Sequence, residues 1–217
     1  MVGVPQPKYI VVEGPIGVGK TSLAKRLAET FGTALLLEGA EENPFLERFY
    51  QNPKQGALPT QLFFLFQRAR QVMELKQGDI FNAVRVADFL IDKDKLFAQL
   101  TLDDDELRLY EQVYSHLTLD APVPDLVIYL QAPVNILIDR VMKRGIAHEK
   151  MIKPDYLQNV ADAYAHFFHY YDVSPLLIVN ATEIDPVNND QDYEALLKRI
   201  RNITSGRHYF NPIPIAL

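Results

Sequence analysis

Eight residues near the start constrain this chain more than any others: Gly14-Pro15-Ile16-Gly17-Val18-Gly19-Lys20-Thr21. They match the P-loop pattern G-x-x-x-x-G-K-T, in which each part serves a phosphate chain. The glycines let backbone N–H groups turn inward around phosphate oxygens. Lys20 reaches the terminal phosphates as a point charge, and the Thr21 hydroxyl can ligate Mg²⁺. The flanks agree with the pattern. Tyr9-Ile10-Val11-Val12 is aromatic, β-branched and apolar, as a buried parallel strand requires. Ser22 to Phe31 sets Leu23, Ala24, Leu27, Ala28 and Phe31 on one helical face, and Gly32 is a natural stop. Strand, loop and helix therefore come in the required order. The loop alone does not say where the terminal phosphate goes.

The remainder alternates apolar strands with helical patterns. Strands are expected at Tyr9–Glu13, Ala34–Glu38, Val84–Asp88, Leu126–Leu130 and Leu177–Asn180. Helices are expected at Thr21–Phe31, Thr60–Leu75, Asp103–Thr118, Val134–Arg144, Asp155–Tyr170 and Asp192–Asn202. This order predicts an α/β domain with a five-stranded parallel sheet covered by helices on both faces. At 217 residues, one domain spanning 1–217 is the expectation. Ala40–Pro59 reads as turn-rich, and the tail 205–217 as extended. Ligands of such sheets sit at the carboxyl ends of the strands. The P-loop, Glu38 and Asp88 all fall at such ends.

Composition narrows the partners. With 28 acidic against 22 basic residues the net charge is −6, and no long basic run is present, which argues against gripping nucleic acid. No apolar run approaches the ~20 residues that cross a bilayer. There are no cysteines, which excludes disulfides and thiolate zinc sites. That fits a cytoplasmic location, as does an N-terminus, Met1 to Lys8, without a secretory hydrophobic region.

Four places carry candidate chemistry, each with a plainer alternative. Asp88 ends an apolar strand, where a carboxylate can hold Mg²⁺ opposite Thr21; the plainer alternative is a helix N-cap, and the P-loop favours the metal. Glu38 ends Leu35-Leu36-Leu37 and can serve as base beside an acceptor hydroxyl, or be a solvated strand end, with Glu41 and Glu42 as rivals. Gln61 and Arg68, seven residues apart, project from one helical face among Phe63, Phe64 and Phe66. They can read the edge of a base, or form the polar face of an amphipathic helix. The cations of Arg140–Lys150 can clamp a phosphoryl group from a closing loop, or simply suit a helix C-terminus. His166 and His169, among aromatics, point to packing or a subunit interface rather than to metal.

Taken together, these residues resemble the deoxyribonucleoside kinase family, especially its bacterial deoxyadenosine/deoxyguanosine kinases. The resemblance runs from about Lys8 to Asn202. It rests on the P-loop, on Glu38 followed by Glu41-Glu42-Asn43-Pro44-Phe45-Leu46 and Phe49-Tyr50, and on Ala87-Asp88-Phe89 with Leu96-Phe97-Ala98. It implies a P-loop kinase fold with a small lid at about 143–153, and ATP and Mg²⁺ as cofactors. ATP phosphates would lie on Gly14, Pro15, Ile16, Gly17, Val18, Gly19, Lys20, Thr21 and Ser22. By the same resemblance, Glu38 is the general base for a 5′-hydroxyl and Tyr50 touches the 3′-hydroxyl. Gln61 and Arg68 read the base with Asp94 as a third partner, and Phe97 stacks on it. Asp88 lies near Mg²⁺, Arg144 is a lid arginine, Glu149 a lid glutamate near the sugar, and Thr182–Asp190 lies near the adenine.

Three departures stand out. Asp88 is followed by Phe89 and Leu90 where many relatives have Arg-Ser, the lid reads Arg144-Gly145-Ile146 where Arg-Gly-Arg is usual, and Gly56-Ala57-Leu58-Pro59 replaces aromatics. The expectation is an ATP-dependent deoxynucleoside kinase preferring a purine, acting in nucleotide salvage as a homodimer. Two rivals are a monophosphate kinase of the thymidylate kinase type and a non-catalytic nucleotide-binding protein. The acidic stretch after Glu38 favours an uncharged acceptor over the first.

Overall fold

The computed structural model describes residues 7–77, 85–117 and 121–211. Among these, one parallel sheet organises the chain. Its strands are β1 (Tyr9–Glu13), β2 (Leu35–Leu36), β3 (Arg85–Ala87), β4 (Leu126–Gln131), β5 (Leu176–Asn180) and β6 (Arg207–Phe210). They lie in the order β2-β3-β1-β4-β5-β6. β1 is central, and all five of its residues are buried, as a strand covered on both faces must be.

Alternation along the strands divides the core into two layers. Ile10, Val12, Ile128, Leu130, Leu177 and Val179 face one way, against Leu23 and Leu27 of α1 (Lys20–Phe31). Val11, Val127, Tyr129 and Ile178 face the other way, against α7 (Pro154–Tyr170). There Tyr129 stacks on Phe168 at 4.3 Å between ring centroids and lies parallel to Tyr164 at 6.2 Å. That aromatic packing fixes the roll of α7 and brings the Tyr164 hydroxyl to the end of β1.

The sheet has six strands rather than five. Arg207–Phe210, expected as part of an extended tail, pairs in parallel with β5. Its edge position explains why an alternating exposed and half-buried tetrapeptide did not read as a strand. β2 is shorter than expected, so Glu38 lies beyond it rather than at its last residue. The segment is nevertheless pinned. The Asp88 N–H donates to the Leu36 carbonyl at 3.1 Å, and the Glu38 N–H returns a bond to Asp88 Oδ1 at 2.7 Å. Val84 and Thr118, expected at the ends of β3 and of a helix, lie outside the described residues.

The turn-rich stretch before Pro59 folds more regularly than expected. It contains α2 (Leu46–Gln51), and α3 runs from Pro53 to Gln77 through Pro59. Pro53 at the start lacks only an N–H that has no helical partner, and Pro59 forfeits one bond within a long helix. Gly56 makes the joint possible, because a Cβ there would lie 2.5 Å from Phe49 Cα. Asn43 then ties the loop to α3, its amide donating to the Thr60 carbonyl at 3.2 Å. A further unexpected helix, α4 (Lys93–Thr101), precedes α5 (Asp104–Leu117). Leu65, Ala98 and Tyr110 bind α3, α4 and α5 into a buttress beside the sheet. α6 (Val134–Arg144) and α8 (Asp190–Ile200) complete the described α-helices.

Candidate active site

The P-loop follows β1 as the motif demands. Gly14 has φ 148°, and a Cβ there would lie 2.3 Å from the Leu130 carbonyl oxygen, so the turn admits no side chain. Lys20 Nζ rests 3.3 Å from the Pro15 carbonyl. Burial, with Lys93 nearby, pushes its pKa down from the usual lysine value. The Thr21 hydroxyl donates to Asp88 Oδ2 at 2.5 Å. Asp88 is thus no helix cap: its two oxygens are taken by Thr21 and by the Glu38 N–H. Burial raises its pKa, with the Thr21 hydrogen bond opposing. One hydroxyl beside one carboxylate, facing a phosphate loop, suits Mg²⁺, which takes few protein ligands and fills its octahedron with phosphate and water.

Two clefts meet at this loop. The first is lined by Lys20, Thr21, Glu38, Tyr50, Gln61, Phe64, Arg68, Phe97, Arg144 and Glu149 among others. It therefore gathers the expected base, sugar and lid residues in one place, except Asp94, which does not line it. The second is bordered by Gly17–Leu23, Arg140, Lys143, Arg144 and the Asp185–Asn188 turn. Arg26 secures that turn by donating to the Pro186 and Val187 carbonyls at 3.1 and 2.9 Å. The P-loop and Arg144 belong to both clefts, which gives two ligands a common meeting point.

Glu38 lies in a buried charge network. Arg68 bridges Glu38 and Asp94. Lys93 Nζ lies 3.1 Å from Glu38 and 3.1 Å from Glu13. Burial alone would raise the Glu38 pKa, but Lys93, Arg68 and Lys20 outweigh it and hold it at about 2. Glu41 and Glu42 are exposed, and Glu42 accepts from Gln67 instead, so neither rivals Glu38. Asp94 lies behind Arg68, and its Oδ2 and the Arg68 Nε are buried without a partner. In the lid, Arg144 forks onto Glu149 through bonds of 2.9 and 2.5 Å. Tyr50 is stacked on His148 of the lid at 6.1 Å. Ile146 is half-buried.

Two members of the network, Glu13 and Lys93, were not expected from the sequence. Glu13 is fully buried and accepts from the N–H groups of Gly14 and Leu90, at 3.0 and 2.6 Å, and from the Tyr164 hydroxyl at 2.9 Å. Its signal was there to read: a carboxylate that closes a wholly apolar central strand cannot be solvated. Lys93 sits in Ile91-Asp92-Lys93-Asp94-Lys95, which reads as a solvated charged run until α4 turns it inward. Among the described residues, no cluster of three or more His, Cys, Asp or Glu able to hold a metal ion is formed.

The fold, the P-loop and the two clefts that meet at it are those of a P-loop kinase. The deoxynucleoside kinase family model matches residues 10–205. A deoxyguanosine kinase of Bacillus subtilis is 34% identical over 204 residues, covering 90% of this chain and 97% of the relative. A deoxyadenosine kinase of Lactobacillus acidophilus is 29% identical over 89% of this chain and 94% of its own length. A structure of deoxyadenosine kinase from M. mycoides with the products dCMP and dCDP bound superposes with a TM-score of 0.78. It is 25% identical and covers 90% of this chain and all of its own. The chain belongs to the deoxynucleoside kinase family and is an enzyme that phosphorylates deoxynucleosides.

Proposed function

We propose that the acceptor is a purine deoxynucleoside, phosphorylated by ATP at its 5′-hydroxyl for nucleotide salvage. The Bacillus subtilis and Lactobacillus acidophilus relatives are named for deoxyguanosine and deoxyadenosine, which supports the purine, while the M. mycoides enzyme holds dCMP as a product. The observation that carries an uncharged acceptor is the charge balance around Glu38. Four carboxylates, Glu13, Glu38, Asp88 and Asp94, meet three cations, Lys20, Arg68 and Lys93. The surplus of one negative charge, 4 − 3, disfavours a second phosphate there and so a monophosphate acceptor.

In this proposal ATP enters the cleft between the P-loop and the Asp185–Asn188 turn. Backbone N–H groups of residues 14–22 receive its phosphates, with Lys20 as their cation. Thr21 and Asp88 would hold Mg²⁺, which supplies charge neutralisation of the phosphates when bound. Gln61, Arg68 and Asp94 read the base, Phe97 covers it, and Tyr50 and Glu149 hold the sugar. Arg144 leaves Glu149 to meet the phosphoryl group. Glu38, ionised at any physiological pH, accepts the hydroxyl hydrogen bond. Negative phosphates arriving at Lys20 offset one of the cations that keep its pKa low, so its basicity rises in the complex. The enzyme is proposed to be a cytoplasmic homodimer. No helix among the described residues is long and apolar enough to cross a membrane. The test is ADP release across a panel of nucleosides and monophosphates. Deoxyguanosine or deoxyadenosine should lead; a lead by any monophosphate refutes the assignment.

A further inference from the structure

Lys93 is 2% exposed, yet it lines the acceptor cleft together with Lys20, Thr21 and Glu38. The two residues after Asp88, Phe89 and Leu90, carry no charge, so β3 itself delivers no cation to the reaction centre. Lys93 arrives from the first turn of α4 instead. On one side it is anchored by Glu13, whose other contacts, two backbone N–H groups and a tyrosine hydroxyl, leave it no freedom to move. On the other side it touches Glu38, the one partner whose charge changes during the reaction.

We infer that Lys93 is a catalytic cation, held by Glu13 and released by Glu38 to the transferring phosphoryl group. The inference presupposes that Glu38 takes the hydroxyl proton. In the step, the acceptor O–H bond breaks and its proton passes to a Glu38 oxygen. The acceptor oxygen bonds to the γ-phosphorus, and the bond to the β,γ-bridging oxygen breaks, its electron pair leaving with ADP. Lys93 gives no proton. As Glu38 becomes neutral, the ammonium loses one of its two counter-charges while negative charge is spread over the γ-oxygens nearby. An attraction that is spent on Glu38 in the ground state becomes available in the transition state, which is the kind of interaction that raises kcat.

The experiment compares Lys93→Met, Lys93→Arg and the double variant Glu13→Gln/Lys93→Met, which removes the buried charge pair together. Steady-state kinetics with ATP and deoxyguanosine are joined to assembly of the ADP–fluoroaluminate–deoxyguanosine complex, a mimic of the transferring phosphoryl group. Both Met variants should lose about 10²–10³-fold in kcat, the cost of one electrophilic contact, with nucleoside affinity nearly unchanged. They should also fail to assemble the fluoroaluminate complex, while Lys93→Arg, which keeps charge and fold, assembles it. A purely structural Lys93 predicts the reverse: the double variant recovers wild-type kcat, or the complex forms undiminished. Either result overturns the inference. Glu38→Gln separates the two layers. Wild-type turnover by that variant removes the base on which the inference stands, whereas an inactive Glu38→Gln beside fully active Met variants removes Lys93 alone.

Discussion

Replacing Glu38 by glutamine isolates the proposed base with little disturbance of the fold. The Glu38 backbone N–H keeps its bond to Asp88. Lys93 keeps Glu13, and Arg68 keeps Asp94, so neither cation is left buried and alone. Three carboxylates, Glu13, Asp88 and Asp94, then face three cations, Lys20, Arg68 and Lys93, and the local surplus of charge disappears. What is lost is charge assistance in contacts to Arg68 and Lys93, a cost on the order of 1–3 kcal/mol offset by relief of carboxylate repulsion. The catalytic loss is larger. A positioned base contributes about 10²–10⁴ in rate, equivalent to ~3–5 kcal/mol of barrier at 1.36 kcal/mol per decade. Steady-state ADP release with saturating ATP and deoxyguanosine gives kcat, calorimetric titration gives nucleoside affinity, and thermal melting reports the fold. The expected variant melts near the wild type, binds nucleoside, and turns over at least a hundredfold more slowly. A folded Glu38→Gln within tenfold of wild-type kcat refutes the assignment of the base.

Three further outcomes follow from single contacts. Gly14→Ala forces a Cβ against the Leu130 carbonyl at a strained φ, for ~2–5 kcal/mol of destabilisation and loss of ATP binding; an unchanged melting curve would contradict the packing. Tyr164→Phe removes one donor from the buried Glu13 carboxylate and should cost about 1–3 kcal/mol in urea unfolding; equal midpoints would show that the contact carries nothing. Asp88→Asn weakens the proposed metal site, so half-maximal activity should need more Mg²⁺, and a superimposable Mg²⁺ titration would dismiss Asp88 as a ligand.

The parts of this molecule that were legible in its sequence are those fixed by local chemistry. The P-loop announces strand, turn and helix together, because each of its residue types answers a local demand. Apolar runs such as Leu126–Leu130 identify central strands by burial on both faces. What stayed hidden depends on partners far along the chain. The edge strand Arg207–Phe210 has no apolar run, since one face meets solvent. Helix α3 starts at Pro53 and runs through Pro59, which locally argues against it, and close packing of Gly56 on Phe49 settles the matter. In the site, Glu38, Asp88, Gln61 and Arg68 were visible as polar residues in apolar settings. Lys93 was not, because a lysine between two aspartates looks solvated until Glu13, eighty residues earlier, is brought beneath it.

The most direct measurement follows the phosphorus. Enzyme, ATP, Mg²⁺ and deoxyguanosine or deoxyadenosine are incubated together and watched by phosphorus NMR, with the ester position read from its coupling to the sugar protons. The account predicts ADP and a deoxynucleoside monoester appearing in equal amounts, with the phosphate coupled to the two 5′ protons. Inorganic phosphate without an ester, or phosphate transfer only when a nucleoside monophosphate is supplied, would contradict it.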